Sequence, residues 1–483
     1  MTNFSLLAAS LLNLVNNQSG TLVSHFENVL GTSLSLKIKA DNQLMADHAE
    51  EQIIDYVKQL QNNLGSFLPG QGLYEFNKNS SKQIVNNDLK EVMVLFDNWS
   101  ELTNGTIASQ TNSLKNLWLS AKDKQILPFE TDLKNVVESI SSNAWEFDGE
   151  YVTKLAAGDI RLHSLAKGYV LEKAAEFALS INGVSGISLN IGGDILVKGD
   201  MSEFVKIANP SNSEENSTSL GVVELKNQAI ASSGNYKDGF DINGVHYSHI
   251  FDPKTGYPAD QIIGSTIIHE NAITAGAIAT AANVMSPQET EELAKSIGEV
   301  EYLLAEKDGN IITSTNWNAK TENVSSSISF VNLKEKSWNP NLVLQINLEL
   351  ADLGGYARRP YVAIWVEDED HKPVRRLALW YRKPRWLPDL REFSNSLRDV
   401  NMDVYSITSA TRSAGQYNLI WDGKNDQGEF VPQGNYTVFI ESAREHGPYE
   451  LMKQVVKCDD KLKSVPYQPN GEISSASLVL KNK

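Results

Sequence analysis

Apolar residues recur at helical spacing from Leu44 to Leu64, where Ile53, Ile54, Val57 and Leu60 share one face behind Asp41, a residue type suited to capping. A second helix is predicted from near Ala166 to about Ile181. A third is expected after Ser286 and Pro287, with Glu289, Glu291 and Glu292 favouring its N-terminal turn. Short β-like runs lie between them: SLSLKIKA, ISLNIGG, FVKIANP, GVVELKN, IIGSTIIH and EYLLAEKDG. The mixture predicts an α+β fold with a largely antiparallel sheet.

The pattern then changes. Residues 317–337 are rich in Asn, Ser, Thr and Lys and mark a linker between a first domain over 21–316 and a second over 338–483. In the second, LVLQINLELADL and YVAIWVEDED alternate, which predicts strands with one buried face. GQYNLIWDGKNDQGEFVPQGNYTVFIESAREHG gives strand, turn, strand, and the spaced Gly and Asn/Asp turns predict a small all-β sandwich. Residues 1–20 form a separate N-terminal segment. Its apolar stretch, Phe4 to Val15, lacks a basic region before it and a small-residue cleavage site after it. An amphipathic helix is expected there, with a trimmed signal as the alternative.

Composition narrows the function. A chain of 483 residues with 41% hydrophobic and 21% charged residues is expected to form at least two globular domains. No apolar run approaches the ~20 residues of a membrane helix. The formal charge of −17 argues against nucleic acid or anionic lipid as partner. An anionic ligand would then need local lysines, helix N-termini or a metal. The lone cysteine, Cys458, excludes an intrachain disulfide framework and a cysteine zinc cluster.

Candidate chemistry gathers in four short segments. In LAKGYVLEKAA, Lys167 stands at a helix start, where free N–H groups favour an anion; a solvated lysine is the alternative. NIGGDI places Asn190 and Asp194 around Gly192 and Gly193, which either admit a ligand close to the backbone or simply turn the chain. SSGNY offers Ser233, Gly234 and Tyr236, as a polar pocket wall or a hairpin turn. In HIFDPKTGYP, His249 lies three residues before Asp252 and six before Thr255. An imidazole is the natural base near neutral pH, although a lone histidine also serves structure.

Together with AITAGAIATAA, Ala272 to Ala282, these segments resemble the ApbE-like FAD:protein FMN transferases, a family of exported flavin transferases. The resemblance covers Val29 to Thr315 and rests on AKGY and H-x-x-D-P-x-T-G-x-P. It implies a flavin-transferase-like mixed α/β domain, FAD as donor, an acceptor protein as partner, and a periplasmic or envelope location. The implied reaction moves FMN from FAD to a Thr or Ser hydroxyl and releases AMP. A hydroxyl must then attack a pyrophosphate carrying about two negative charges, which needs a base and charge neutralisation, normally by magnesium. The resemblance makes His249 the base and puts Lys167 on phosphate. It draws the flavin pocket from Phe67, Thr106, Ile107, Ala108, Arg161, Asn190, Gly192, Gly193, Asp194, Ser233, Gly234, Tyr236 and Thr255. Ser164, Gly276 and Thr280 occupy its metal positions.

The chain departs from the family at three acids. Thr274 to Thr280 match the metal motif, but its aspartate has become Gly276 and an occasional acidic companion Ala279. Glycine supplies no side-chain oxygen, and magnesium wants oxygen ligands. Before the lysine an aspartate has become Arg161, and in Gly105 to Ala108 a flavin-contacting acid has become Ala108. The family's first serine-rich motif is reduced to Ser66, Phe67 and Asn77. Two readings follow. Asp159, Asp194 or Asp252 substitutes, or Arg161 neutralises phosphate in place of a metal, and the chain remains a transferase. Alternatively it binds flavin, or scaffolds, without transfer.

The second domain concentrates charge and rings differently. Arg358, Arg359, Arg375, Arg376, Arg382, Arg385 and Arg391 are interleaved with Trp380 and Trp386. These side chains either fill a small core and pair with Glu367, Asp368, Glu369 and Asp389, or form a face that recruits an envelope redox partner. The domain resembles one of unknown function fused behind ApbE-like domains, and also the immunoglobulin-like module of flagellar hook-capping proteins.

Overall fold

The computed structural model describes residues 20–140, 143–210, 220–234, 239–317, 337–352, 354, 359–382, 384–397, 408–444 and 447–483. The Phe4–Val15 stretch, Tyr236 and linker residues 318–336 lie outside them.

The first half is built on one eight-stranded sheet. Its strands are β1 (Thr21–Val29), β2 (Thr32–Ala40), β3 (Val184–Ile191), β4 (Asp194–Gly199), β5 (Ala229–Gly234), β6 (Ile262–His269), β7 (Glu301–Glu306) and β8 (Ile311–Thr313). They lie side by side in chain order, and every neighbouring pair is antiparallel. In β2 the period-two pattern buries Leu34, Leu36, Ile38 and Ala40.

Helices cover that buried face. Of the helices α1 (Gln43–Leu64), α2 (Asn112–Lys124), α3 (Glu130–Ile140), α4 (His163–Ser180), α5 (Ala272–Ala282) and α6 (Pro287–Ile297), the first and the last three pack there, whereas α2 and α3 form a separate cluster with Phe240, Ile242 and Phe251. The expected first helix is present, but its cap is Asn42, whose side chain accepts the Met45 amide at 3.0 Å. Asp41 sits one residue too early. Ile53, Val57 and Leu60 are buried against the sheet, each burial contributing about 1.5–3 kcal/mol. α4 starts three residues before Ala166. α6 carries the full reciprocal cap between Ser286 and Glu289 that its sequence announces.

One glycine sets the spacing of the helices. A Cβ on Gly168 of α4 would lie 2.6 Å from the carbonyl oxygen of Ala272 in α5, so only glycine admits this crossing. Alanines 275, 277, 279, 281 and 282 keep α5 slender enough to sit there.

The second half packs two sheets face to face. Its strands are β9 (Leu342–Leu350), β10 (Tyr361–Glu367), β11 (Pro373–Trp380), β12 (Thr408–Ser409), β13 (Gly415–Trp421), β14 (Gly434–Ala443), β15 (Tyr449–Cys458), β16 (Lys463–Pro466) and β17 (Ile473–Asn482). One sheet runs β13-β9-β17-β16 and the other β12-β11-β10-β14-β15, around a core that includes Trp421, Ile364, Val438 and Leu478. The all-β sandwich read from the turns is therefore present.

The expectation of one buried face fails for β10, which is buried on both from Tyr361 to Val366. The reason lies after β11. The turn Pro384–Asp389 and helix α7 (Arg391–Ser396) lay Leu387, Leu390 and Phe393 over Trp365 and Phe439 on the outer face. Glu441 of β14 fastens this cover by accepting the amides of Glu392 and Phe393 at 2.9 and 2.7 Å.

Several described members of the Arg/Trp segment are taken up by packing and pairing. Trp365 and Trp380 are buried, and the Trp380 ring is flanked by Arg412 and Tyr417. Arg376, only 2% exposed, pairs with Asp426. Arg375 donates to the Asn425 carbonyl at 3.0 Å, and Arg391 lies over Tyr449. Of the acids expected to pair with these arginines, Glu367 instead accepts from the Trp365 indole.

β1 touches the second half directly. The His25 amide donates to the Arg382 carbonyl at 2.8 Å, the His25 ring meets Tyr381 edge-on at 4.7 Å, and Arg359 pairs with Glu27 at 2.9 Å.

Candidate functional site

A cleft of about 370 Å³ opens beside the helical face of the first half, a size suited to a small-molecule ligand. Seven stretches of chain help to wall it: the loop at Thr106–Ala108, the start of α2, the segment from Arg161 into α4, the start of β4, the end of β5, the His249 loop, and α5.

The His249 loop is held by its own aspartate. Asp252 accepts the Lys254 amide and the Thr255 hydroxyl, both at 2.9 Å, while its backbone pairs with Tyr257 and Gly256. Phe251 bridges to Pro258, which closes the loop at its base. Gly256 needs its positive φ of 75°, and Trp118 of α2 donates its indole N–H to the Gly256 carbonyl at 3.0 Å. His249 emerges from this braced loop into the cleft.

Opposite, Lys167 stands one turn into α4 with its Nζ 3.6 Å from Asp194. Burial raises the Asp194 pKa above the usual carboxylate range, against Lys167 and the Ser232 amide, which both favour the anion. His163 stands at the α4 start with its ring stacked on Phe67 at 5.7 Å. Lost solvation, then Arg161, Lys167 and Lys115, lower its pKa to about 4, so it is neutral at physiological pH.

Arg161 is gripped from several sides. Its Nη1 donates to Ser66 Oγ at 2.9 Å and its Nε to Asn112 Oδ1 at 3.3 Å. The guanidinium lies 5.3 Å from the Phe67 ring centre. Its backbone amide donates to the Ser109 carbonyl at 2.8 Å, and Asn77 binds both the amide and the carbonyl of Ile160.

Twelve of the residues singled out from sequence meet in the cleft: Phe67, Thr106, Ile107, Ala108, Arg161, Ser164, Lys167, Asp194, Ser233, His249, Gly276 and Thr280. Five others are placed elsewhere. Asn190, Gly192 and Gly193 form the tight β3–β4 hairpin, with the Asn190 side chain accepting the Gly193 amide at 2.9 Å. A Cβ on Gly192 would meet Thr32 at 2.7 Å, so this glycine answers to packing rather than to ligand approach. Gly234 ends β5, pairing with Gly264, and Thr255 is spent on Asp252. Lys115, His163, Asn112 and Ser232 line the cleft without having been read as site residues. The first and third ride on α2, whose buried Leu114, Trp118 and Ala121 carry a helical spacing that would have exposed Lys115.

The family model described as ApbE family matches residues 30–304. The chain belongs to the ApbE family. Among its curated relatives, the FAD:protein FMN transferase of Haemophilus influenzae is 25% identical over 59% of this chain and 86% of its own length. That of Vibrio cholerae is 24% identical over 60% and 89%. The solved ApbE protein of Thermotoga maritima shares the fold at a TM-score of 0.56 and 23% identity, covering 63% of this chain and 100% of that one. The Vibrio cholerae flavin transferase ApbE gives 0.52 and 20%, covering 62% and 99%. Residues 343–475 match a second family, described as predicted periplasmic protein (DUF2271).

An ApbE-type magnesium site is not matched by the donors present. Gly276 brings no side-chain oxygen, and the Thr280 hydroxyl donates to the Gly276 carbonyl at 3.1 Å. The carboxylate lining the cleft, Asp194, faces Lys167. No group of three or more His, Cys, Asp or Glu side chains is placed for a metal among the described residues. A hard cation binds through oxygens and carboxylates, and this set does not fit one.

Proposed function

We propose that the chain transfers the FMN half of FAD to a Thr or Ser hydroxyl of an acceptor protein. The observation that carries this reading is the meeting of His249 with Lys167 and Arg161 across one ligand-sized cleft of an ApbE fold. The acceptor oxygen attacks the phosphorus on the FMN side of the pyrophosphate. Its proton passes to His249, the bond to the AMP phosphate breaks, and AMP leaves. Phe67, Thr106, Ile107, Ala108 and Ser233 border the flavin, and Lys167 meets phosphate while Asp194 holds it in place. The membership of residues 343–475 in a family described as periplasmic supports an envelope location; among the described residues no helix is long and apolar enough to cross a membrane.

Incubating the full chain with FAD and an envelope-protein extract that supplies acceptor hydroxyls, and following AMP by chromatography, tests the reaction. His249→Ala should abolish AMP release while leaving flavin binding intact; unchanged release would remove the histidine's role. A second reading, flavin binding without turnover, is favoured by Gly276, Arg161 and Ala108 in the places of three acids. FAD that stays bound and intact with acceptor hydroxyls supplied would favour it.

A further inference from the structure

We propose that this chain neutralises the pyrophosphate of its dinucleotide with side-chain cations, Arg161, Lys115 and Lys167, and does so without a divalent metal. The proposal rests on the flavin reading of the cleft and adds how charge is handled there.

Three features carry it. The first is charge. Lys115, Arg161 and Lys167 line the cleft against the single carboxylate of Asp194, a formal surplus of two positive charges in a chain whose net charge is −17. A diphosphate diester carries two negative charges. The second is construction. Arg161 is not a wandering surface arginine, because Ser66 and Asn112 fix its guanidinium, Ser109 accepts its amide, and Asn77 holds the backbone of its neighbour Ile160. Both side-chain acceptors are uncharged, so the guanidinium is oriented without being neutralised. A preorganised arginine fork suits phosphate oxygens, and less ordering entropy is lost on binding.

The third is the convergence of two helices. α2, of 13 residues, and α4, of 18, both start at the cleft, and neither start is capped by its own side chain. Their N-terminal partial charges add to the same positive field. Meanwhile α5, where an acidic side chain would hold a cation, offers Gly276. The swaps at 161 and 276 therefore act in one direction. Negative charge is withdrawn from the wall that would hold a metal, and positive charge is added on the wall that would face its phosphates.

The test measures binding, so it does not depend on turnover or on the acceptor. The full chain is titrated with FAD and with riboflavin, which has no phosphate, by flavin fluorescence, in excess EDTA and then in excess magnesium. FAD should bind equally well in both and weaken as salt is raised. Arg161→Gln and Lys115→Met should each weaken FAD by about tenfold or more while hardly changing riboflavin, and Arg161→Lys should lose less than Arg161→Gln. Lys115 is exposed, so its variant keeps the test valid if changes at 161 impair folding. FAD binding that requires magnesium would overturn the cradle and leave the transferase reading standing. Equal affinity for FAD and riboflavin, indifferent to both variants, would also overturn it. Failure to bind either flavin would sink the flavin reading itself, and the cradle with it.

Discussion

The arginines of the second half and the cations of the cleft come from the same acidic chain but meet opposite surroundings. In the sandwich, Arg376 is buried on Asp426, Arg359 reaches across to Glu27, and Arg391 covers the Tyr449 ring. In the cleft, Arg161 is held by a serine and an asparagine, and Lys115 looks into open space beside it. The first set is paired or packed by the fold and stabilises it. The second is oriented by the fold and keeps its charge for something else. Density of arginine in the sequence points to the sandwich, whereas the chemistry of the partners points to the cleft.

Breaking one member of each set should separate the two uses most sharply. Asp426→Ala strands a buried guanidinium and should cost about 3–5 kcal/mol, read as a lower denaturant midpoint. Lys115→Ala, by contrast, should move stability by less than about 0.5 kcal/mol while weakening FAD. A large loss of stability from Lys115→Ala would erase the distinction. His249→Ala should lower AMP release by about a hundredfold or more with the folding transition little changed.

A pH profile sharpens the comparison at the junction. His25 is buried between Ser35, Lys37, Arg412 and Tyr381, and burial, then Lys37 and Arg412, lower its pKa to about 3. The folded state refuses a proton that the unfolded chain accepts below 6.5. The histidine therefore costs nothing above that pH, and stability falls as the pH drops from there toward 3, by up to about 1.4 kcal/mol per unit. Thermal melts of the native chain and His25→Phe should diverge in slope across that window, and parallel profiles would count against it. Least disruptive is Gly276→Asp. Its Cβ would meet Ser164 oxygen at 3.5 Å, an ordinary contact, so stability should change by less than about 1 kcal/mol. The readout is whether magnesium then stimulates AMP release more than it does in the native chain.

Much of the fold was legible because it is periodic. Ile53, Val57 and Leu60 announced α1, Ser286 with Glu289 announced α6, and alternation gave β2 and the sandwich strands. The misses have physical causes. β10 read as half-buried because the cover from Pro384 to Ser396 is a tertiary event that no local pattern reports. The GG pair stayed open between ligand approach and a plain turn because both make the same demand on backbone torsions. Lys115 was missed since it belongs to no motif; it reaches the cleft through Trp118, which ties α2 to a loop far along the chain.

The junction at His25 also bears on what the halves can do apart. β1 is the outermost strand of the eight-stranded sheet, and at His25 its outer side is engaged by the backbone of Arg382. A chain ending within residues 318–336 would present that strand bare, with the His25 ring, which meets Tyr381 of the second half, newly wetted on the face opposite Leu22 and Phe26. Bare strand margins recruit one another. A shortened protein should thus be prone to self-association through β1, and its solubility in hand would report on the missing half more directly than its activity.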